Sequence, residues 1–113
     1  MPFLTVYTNS KPKENDNIAE LASSLVAEVL HKPISYVAVN FIYNPTMAFG
    51  GSSSEKGALV ELLSIGLGNK DELVDRLTDF LADKLEITNL NNICISLNNA
   101  PASQVASGGH TFG

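Results

Sequence analysis

The sequence predicts an α+β fold: a duplicated βαβ unit that builds a four-stranded mixed sheet with two helices on one face. Three observations lead there. Two segments carry apolar residues at helical spacing, and four short runs read as strands. A shift of 56 residues then lays one apolar pattern on the other. Phe3, Leu4 and Val6 fall on Leu59, Val60 and Leu62. Ile18, Leu21, Leu25 and Val29 fall on Val74, Leu77, Leu81 and Leu85, and Val37, Val39 and Phe41 on Ile93, Ile95 and Leu97. The repeat covers about residues 2–43 and 58–97 of a single domain, 1–113.

The first strand is Phe3–Thr8, preceded by Pro2. A proline is tolerated as the first residue of a strand because no ladder bond needs its nitrogen. Ile18, Leu21, Ala22, Leu25, Val26, Val29 and Leu30 share one face of the first helix, which Pro33 ends. The second strand is Tyr36–Tyr43, followed by a turn-rich connection from Asn44 to Ser53. Ala58–Ile65 is the third strand. Asn69 caps the second helix, with Asp71 in its first turn and Glu72 three residues after the cap. Leu73, Val74, Leu77, Phe80, Leu81 and Leu85 form the apolar face. Asn92–Leu97 is the last strand, and the tail from Asn98 is rich in Ala, Ser and Gly. Right-handed crossovers put both helices on one face of the sheet. The strands read as apolar on both faces, so the uncovered face calls for a second subunit.

A chain of 113 residues, 44% hydrophobic and 17% charged, supports one folded domain. Its formal net charge of -5 and its singly scattered lysines argue against nucleic acid as a partner. Cys94 is the one cysteine, so no internal disulfide forms, and His31 and His110 are too isolated to suggest a metal site. No signal peptide or membrane-spanning run is evident, so the expectation is a soluble, cytoplasmic protein.

The chemistry centres on Pro2. Removal of Met1 would expose a secondary amine at the end of a buried strand, and an amine kept neutral by a dry pocket is a base. Lys32, after the first helix, suits the helix C-terminus as a cation and also suits a carboxylate clamp. Ser64-Ile65-Gly66 closes the third strand, where backbone N–H groups beside glycine can hold an anion. Gly50-Gly51-Ser52-Ser53 lacks the lysine of a nucleotide phosphate loop.

Pro2, Thr8-Asn9, Lys32-Pro33, Tyr36-Val37-Ala38-Val39, Met47-Ala48-Phe49-Gly50-Gly51-Ser52-Ser53, Ser64-Ile65-Gly66 and the ending Thr111-Phe112 resemble, in order and along the whole chain, the macrophage migration inhibitory factor family of the tautomerase superfamily. The resemblance implies a symmetric homotrimer with active sites between subunits. It implies Pro2 as catalytic base and acid, Lys32 and the Ile65 N–H holding the substrate carboxylate, Ser64 among the substrate-binding residues, and Phe3, Val105 and Phe112 lining the pocket. The implied reaction interconverts keto and enol forms of phenylpyruvate-like 2-oxo acids, with no metal or organic cofactor. Cys94 and Ser96 stand where animal members carry a tyrosine and an asparagine that reach a neighbouring subunit's site, and Ser107 replaces a tryptophan. Gly57-Ala58-Leu59-Val60 stands in place of the animal members' Cys-x-x-Cys, so no residues carry a thiol–disulfide role. The alternative the resemblance implies is a cytokine-like or host-modulating protein that binds a receptor and leaves the cell unconventionally. Hydratase or dehalogenase chemistry ranks lower, since no added acid or base stands beside Pro2.

Overall fold

Leu4, Val6 and Thr8 alternate with Phe3, Thr5 and Tyr7, and this period of two makes Phe3–Thr8 a strand, β1, with one buried face. Helix α1 (Ile18–Leu30) follows. The chain returns as β2 (Ala38–Tyr43), parallel to β1. The second half repeats this with β3 (Ala58–Ser64), α2 (Lys70–Leu85) and β4 (Ile93–Asn99), where β3 and β4 are parallel. The halves join antiparallel through β1 and β3, giving the order β2–β1–β3–β4. The architecture comes from a computed structural model that describes residues 1–113. No helix is long and apolar enough to cross a membrane.

Both helices pack on the same face. Ile18, Ala22, Val26, Val29 and Leu30 of α1 meet Leu73, Leu77, Leu81 and Leu85 of α2 over Leu4, Val6, Val60 and Leu62 of the central strands. Val39, Phe41, Ile95 and Leu97 of the edge strands close the flanks of this core. Asn69 caps α2 as its sequence suggests: its side chain accepts from the Glu72 N–H at 3.1 Å.

Several boundaries differ from the sequence reading. Tyr36 lies in a 3-10 turn, Ile34–Tyr36, and β2 starts at Ala38. Ile65 falls just beyond β3. Asn92 is buried in another 3-10 turn, and β4 runs on to Asn99. The tail is more ordered than its composition suggests, with a hairpin of β5 (Ala106–Ser107) and β6 (His110–Thr111). Its two-residue loop is Gly108-Gly109, both at positive φ, the geometry that matches the right-handed twist of paired strands.

The repeat is also out of step by one residue in the helices. The strands superpose at the 56-residue shift, with Leu4 and Val60 both buried. The buried helical residues Ile18, Ala22, Val26 and Leu30 instead precede Leu73, Leu77, Leu81 and Leu85 by 55. Leu21, expected to match buried Leu77, is exposed.

The face away from the helices is less uniformly apolar than expected. Register places Phe3, Ala38, Leu63 and Asn98 in one row and Tyr7, Ile42, Leu59 and Cys94 in another. Between them runs a polar row of Thr5, Asn40, Glu61 and Ser96.

Candidate active site

The last turn of α1 sets the first functional side chain. His31 adopts φ 54, its N–H donates to Glu28 O at 3.3 Å, and the Lys32 N–H donates to Ala27 O at 3.0 Å. This pair of bonds is a Schellman ending. It projects Lys32 off the helix just before Pro33. The 3-10 turn that follows brings Tyr36 beside Phe112, with ring centroids 6.1 Å apart and planes at 83°, an edge-to-face pair. Phe112 is held in turn by its N–H, shared between Ala102 O at 3.2 Å and Val105 O at 3.0 Å.

Beyond β3 the chain turns through Ile65 and Gly66. Gly66 takes φ 83, a left-handed conformation that glycine adopts without steric cost, and its N–H donates to the Asn99 side chain at 3.0 Å. The Ile65 N–H makes no hydrogen bond within the chain.

These pieces enclose a cleft of about 270 Å³. Met1, Lys32, Ile65 and the aromatic pair line it, with Pro33 and Ala102 completing the wall. Lys32 makes no ion pair, so its ammonium is the uncompensated charge of the cleft. Burial, and after it the Lys32 ammonium, hold the terminal amine of Met1 below the ordinary value of 8.0. Pro2 is buried one residue further in, and its carbonyl accepts from the Ala38 N–H at 3.0 Å. No group of three His, Cys, Asp or Glu side chains is arranged to hold a metal ion.

Of the residues the sequence singles out, Lys32, Ile65 and Phe112 meet in the cleft, and Pro2 underlies it. Ser64 is fully buried, and its hydroxyl has no hydrogen-bond partner. One step beyond the β1–β3 register, Ser64 faces Pro2. Val105 is buried, does not line the cleft, and bears on it only through its carbonyl, which accepts from the Phe112 N–H. Phe3 is half-buried on the face away from the helices. Cys94 and Ser96 are exposed on that same face of edge strand β4, outside the cleft of their own chain. Tyr36 and Ala102 complete the site without having been singled out. Pro33, which rarely follows a helical residue without a turn, was the available signal for Tyr36.

The sequence pattern of the family described as "Macrophage migration inhibitory factor (MIF)" matches residues 1–113. A macrophage migration inhibitory factor homolog from Brugia malayi is 38% identical over 118 residues, covering 100% of both chains. The structure of the macrophage migration inhibitory factor from Trichinella spiralis superposes with a TM-score of 0.88 at 32% identity, covering 97% of this chain and 99% of that one. A homologue from Prochlorococcus marinus superposes with a TM-score of 0.89 at 26% identity, covering 98% and 99%. Match, identity and fold all extend from end to end, and the chain belongs to the macrophage migration inhibitory factor family, with the fold of the tautomerase superfamily.

Proposed function

We propose that the chain is a keto–enol tautomerase acting on phenylpyruvate-like 2-oxo acids, with the amine of Pro2 as its base after Met1 is removed. The observation that carries this reading is the position of the chain terminus. The terminal amine of Met1 lies in a part-apolar cleft beside an unpaired lysine, where burial and that lysine favour its neutral form, and Pro2 stands one residue further in.

The chemistry follows from the parts. The neutral Pro2 amine removes a proton from the carbon next to the keto group. The electron pair left behind moves onto the keto oxygen as an enolate. The ammonium form of Pro2 then returns a proton to that oxygen, giving the enol and regenerating the base; the reverse sequence gives the keto form. The reaction is a proton transfer within one substrate, and its atoms balance without a second reactant. The Lys32 ammonium and the free Ile65 N–H hold the substrate carboxylate, which fixes the acidic carbon over the amine. The edge-to-face pair of Tyr36 and Phe112 supplies an aromatic wall for the substrate's ring. A base works best with a pKa near the working pH, and an α-amino group needs only a modest downward shift.

The test is an enol–keto assay with phenylpyruvate on protein whose N-terminus has been verified by mass spectrometry. Pro2→Gly, or retention of Met1, is expected to lower turnover by about 10²-fold or more. Undiminished turnover in either form would overturn the assignment of Pro2.

A further inference from the structure

The lysines that stand singly in the sequence do not stand singly in the fold. Lys11 and Lys13 lie between β1 and α1, Lys56 precedes β3, and Lys84 lies in the last turn of α2. All four line one cleft of about 230 Å³. Four of the chain's seven basic residues therefore meet at one place, on a molecule whose formal net charge is -5.

The cleft is anchored by short polar bonds beneath it. The buried Ser10 hydroxyl donates to Leu85 O at 2.6 Å, which ties the segment after β1 to the end of α2. The buried Thr8 hydroxyl donates to Gly57 O at 2.7 Å. The Asn9 side chain donates to Glu55 O at 2.8 Å and accepts from the Gly57 N–H at 3.0 Å. Three chain segments are thus clipped together, and the lysines beside them line the cleft above.

Glu86 is the one carboxylate lining the cleft. It accepts Lys13 Nζ at 3.1 Å and Lys56 Nζ at 3.5 Å. Asp83 stands 4.0 Å from Lys84, Asp16 lies close enough to Lys13 to act on its charge, and Lys11 has no ion-pair partner. Glu86 also sits at φ 56, in the left-handed region that favours glycine. It already does what a ligand anion would do, bridging two ammonium groups. Lys13 holds Glu86 below, and is itself held above, its ordinary range, so both are charged near neutral pH.

We infer that this cleft binds a compact polyanion of the phosphate class. Lys13 and Lys56 exchange the Glu86 carboxylate for one phosphate group, and Lys11 and Lys84 receive the second. Lysines are compact point charges with rotatable donors and bind phosphate in this way. Leu85 is the only apolar residue of the lining, so nothing there would stack a base or hold an apolar body. The site lies at the far end of β1 from Pro2, about 20 Å away by strand length, and is separate from the proposed catalytic cleft.

The experiment is calorimetric titration of the full chain with inorganic pyrophosphate, with sulfate as the single-centre comparison. Saturable binding at one site per chain is expected, weaker at higher salt and weaker for sulfate. Lys13→Ala and Lys56→Ala should each reduce affinity about five- to tenfold. Glu86→Gln should tighten binding several-fold, because it removes the internal competitor and keeps the lysines. Lys70→Ala, at the exposed start of α2, should leave binding unchanged. Phenylpyruvate turnover should be unaffected by pyrophosphate. Absence of saturation, equal affinity for sulfate, weakening by Lys70→Ala equal to that by Lys13→Ala, or no gain in Glu86→Gln would each overturn the inference.

Discussion

Lys32 both ends α1 and charges the cleft, and the two roles separate experimentally. As a cation after a helix it contributes only a few tenths of a kcal/mol or so, so Lys32→Gln should fold normally. Its ammonium also adds to burial in lowering the terminal amine of Met1, and the same charge would act on a Pro2 amine exposed at this end of β1. Without it that amine rises toward its ordinary value. The neutral base then forms at higher pH, so the acidic limb of kcat/KM against pH should move upward, and KM should rise with the lost carboxylate contact. An unmoved limb in a pH–rate profile would show that Lys32 does not face the working amine. Gly57 is the other residue with a sharp consequence. A Cβ there would lie 2.6 Å from the ring of Phe49, which is buried against it. Gly57→Ala should therefore destabilise the chain by about 1–3 kcal/mol, measured by chemical denaturation. Residues bearing charge or sitting at strand ends, such as Lys32 and Ile65, were legible in the sequence. Tyr36 was not, because its contribution depends on an edge-to-face contact with Phe112, 76 positions away.

At the scale of elements, what the sequence carries best is periodicity. β1 and the extent of α1 appear where alternation and helical spacing put them. The cap at Asn69 was readable because capping is local chemistry, an oxygen meeting an N–H three residues on. Asn69→Ala should cost about 1 kcal/mol, seen as a fall of several degrees in the thermal midpoint; no change would mean that packing of the leucine face alone sets α2. The one-residue offset between the helical and strand repeats was hidden because both Leu21 and Ala22 are apolar. Only contact with the sheet decides which of them is buried. The β5–β6 hairpin was missed for the opposite reason. Its strands are two residues each, too short for any period, and the signal lay in Gly108-Gly109. The same device recurs at Gly50-Gly51, where both glycines take positive φ and the flanking Phe49 and Ser52 pair. There it turns Phe49 back onto Gly57.

At the scale of the whole molecule, a single chain leaves three things without partners. The two edge strands β2 and β4 each carry an unpaired side. The β5–β6 hairpin is exposed, and a lone two-stranded hairpin is marginal in water. On the face away from the helices, Tyr7 and Leu59 stand side by side, 37% and 45% exposed. The polar row of Thr5, Asn40, Glu61 and Ser96 beside them would be costly to bury without partners. A closed ring of chains that covers the apolar rows and sheet edges, and keeps the polar row in water, would meet both demands. It would also let Cys94 and Ser96, which lie outside their own chain's cleft, reach that of a neighbour. The prediction is a homotrimer of about three times the chain's 12.1 kDa by sedimentation equilibrium. Placing lysines at Tyr7 and Leu59 puts like charges on directly opposed residues of this face. Tyr7→Lys with Leu59→Lys should therefore shift the protein toward monomer and lower turnover in step with the loss of assembly. A wild-type monomer with full turnover would show instead that the cleft of one chain is complete by itself, and that the open face has another purpose.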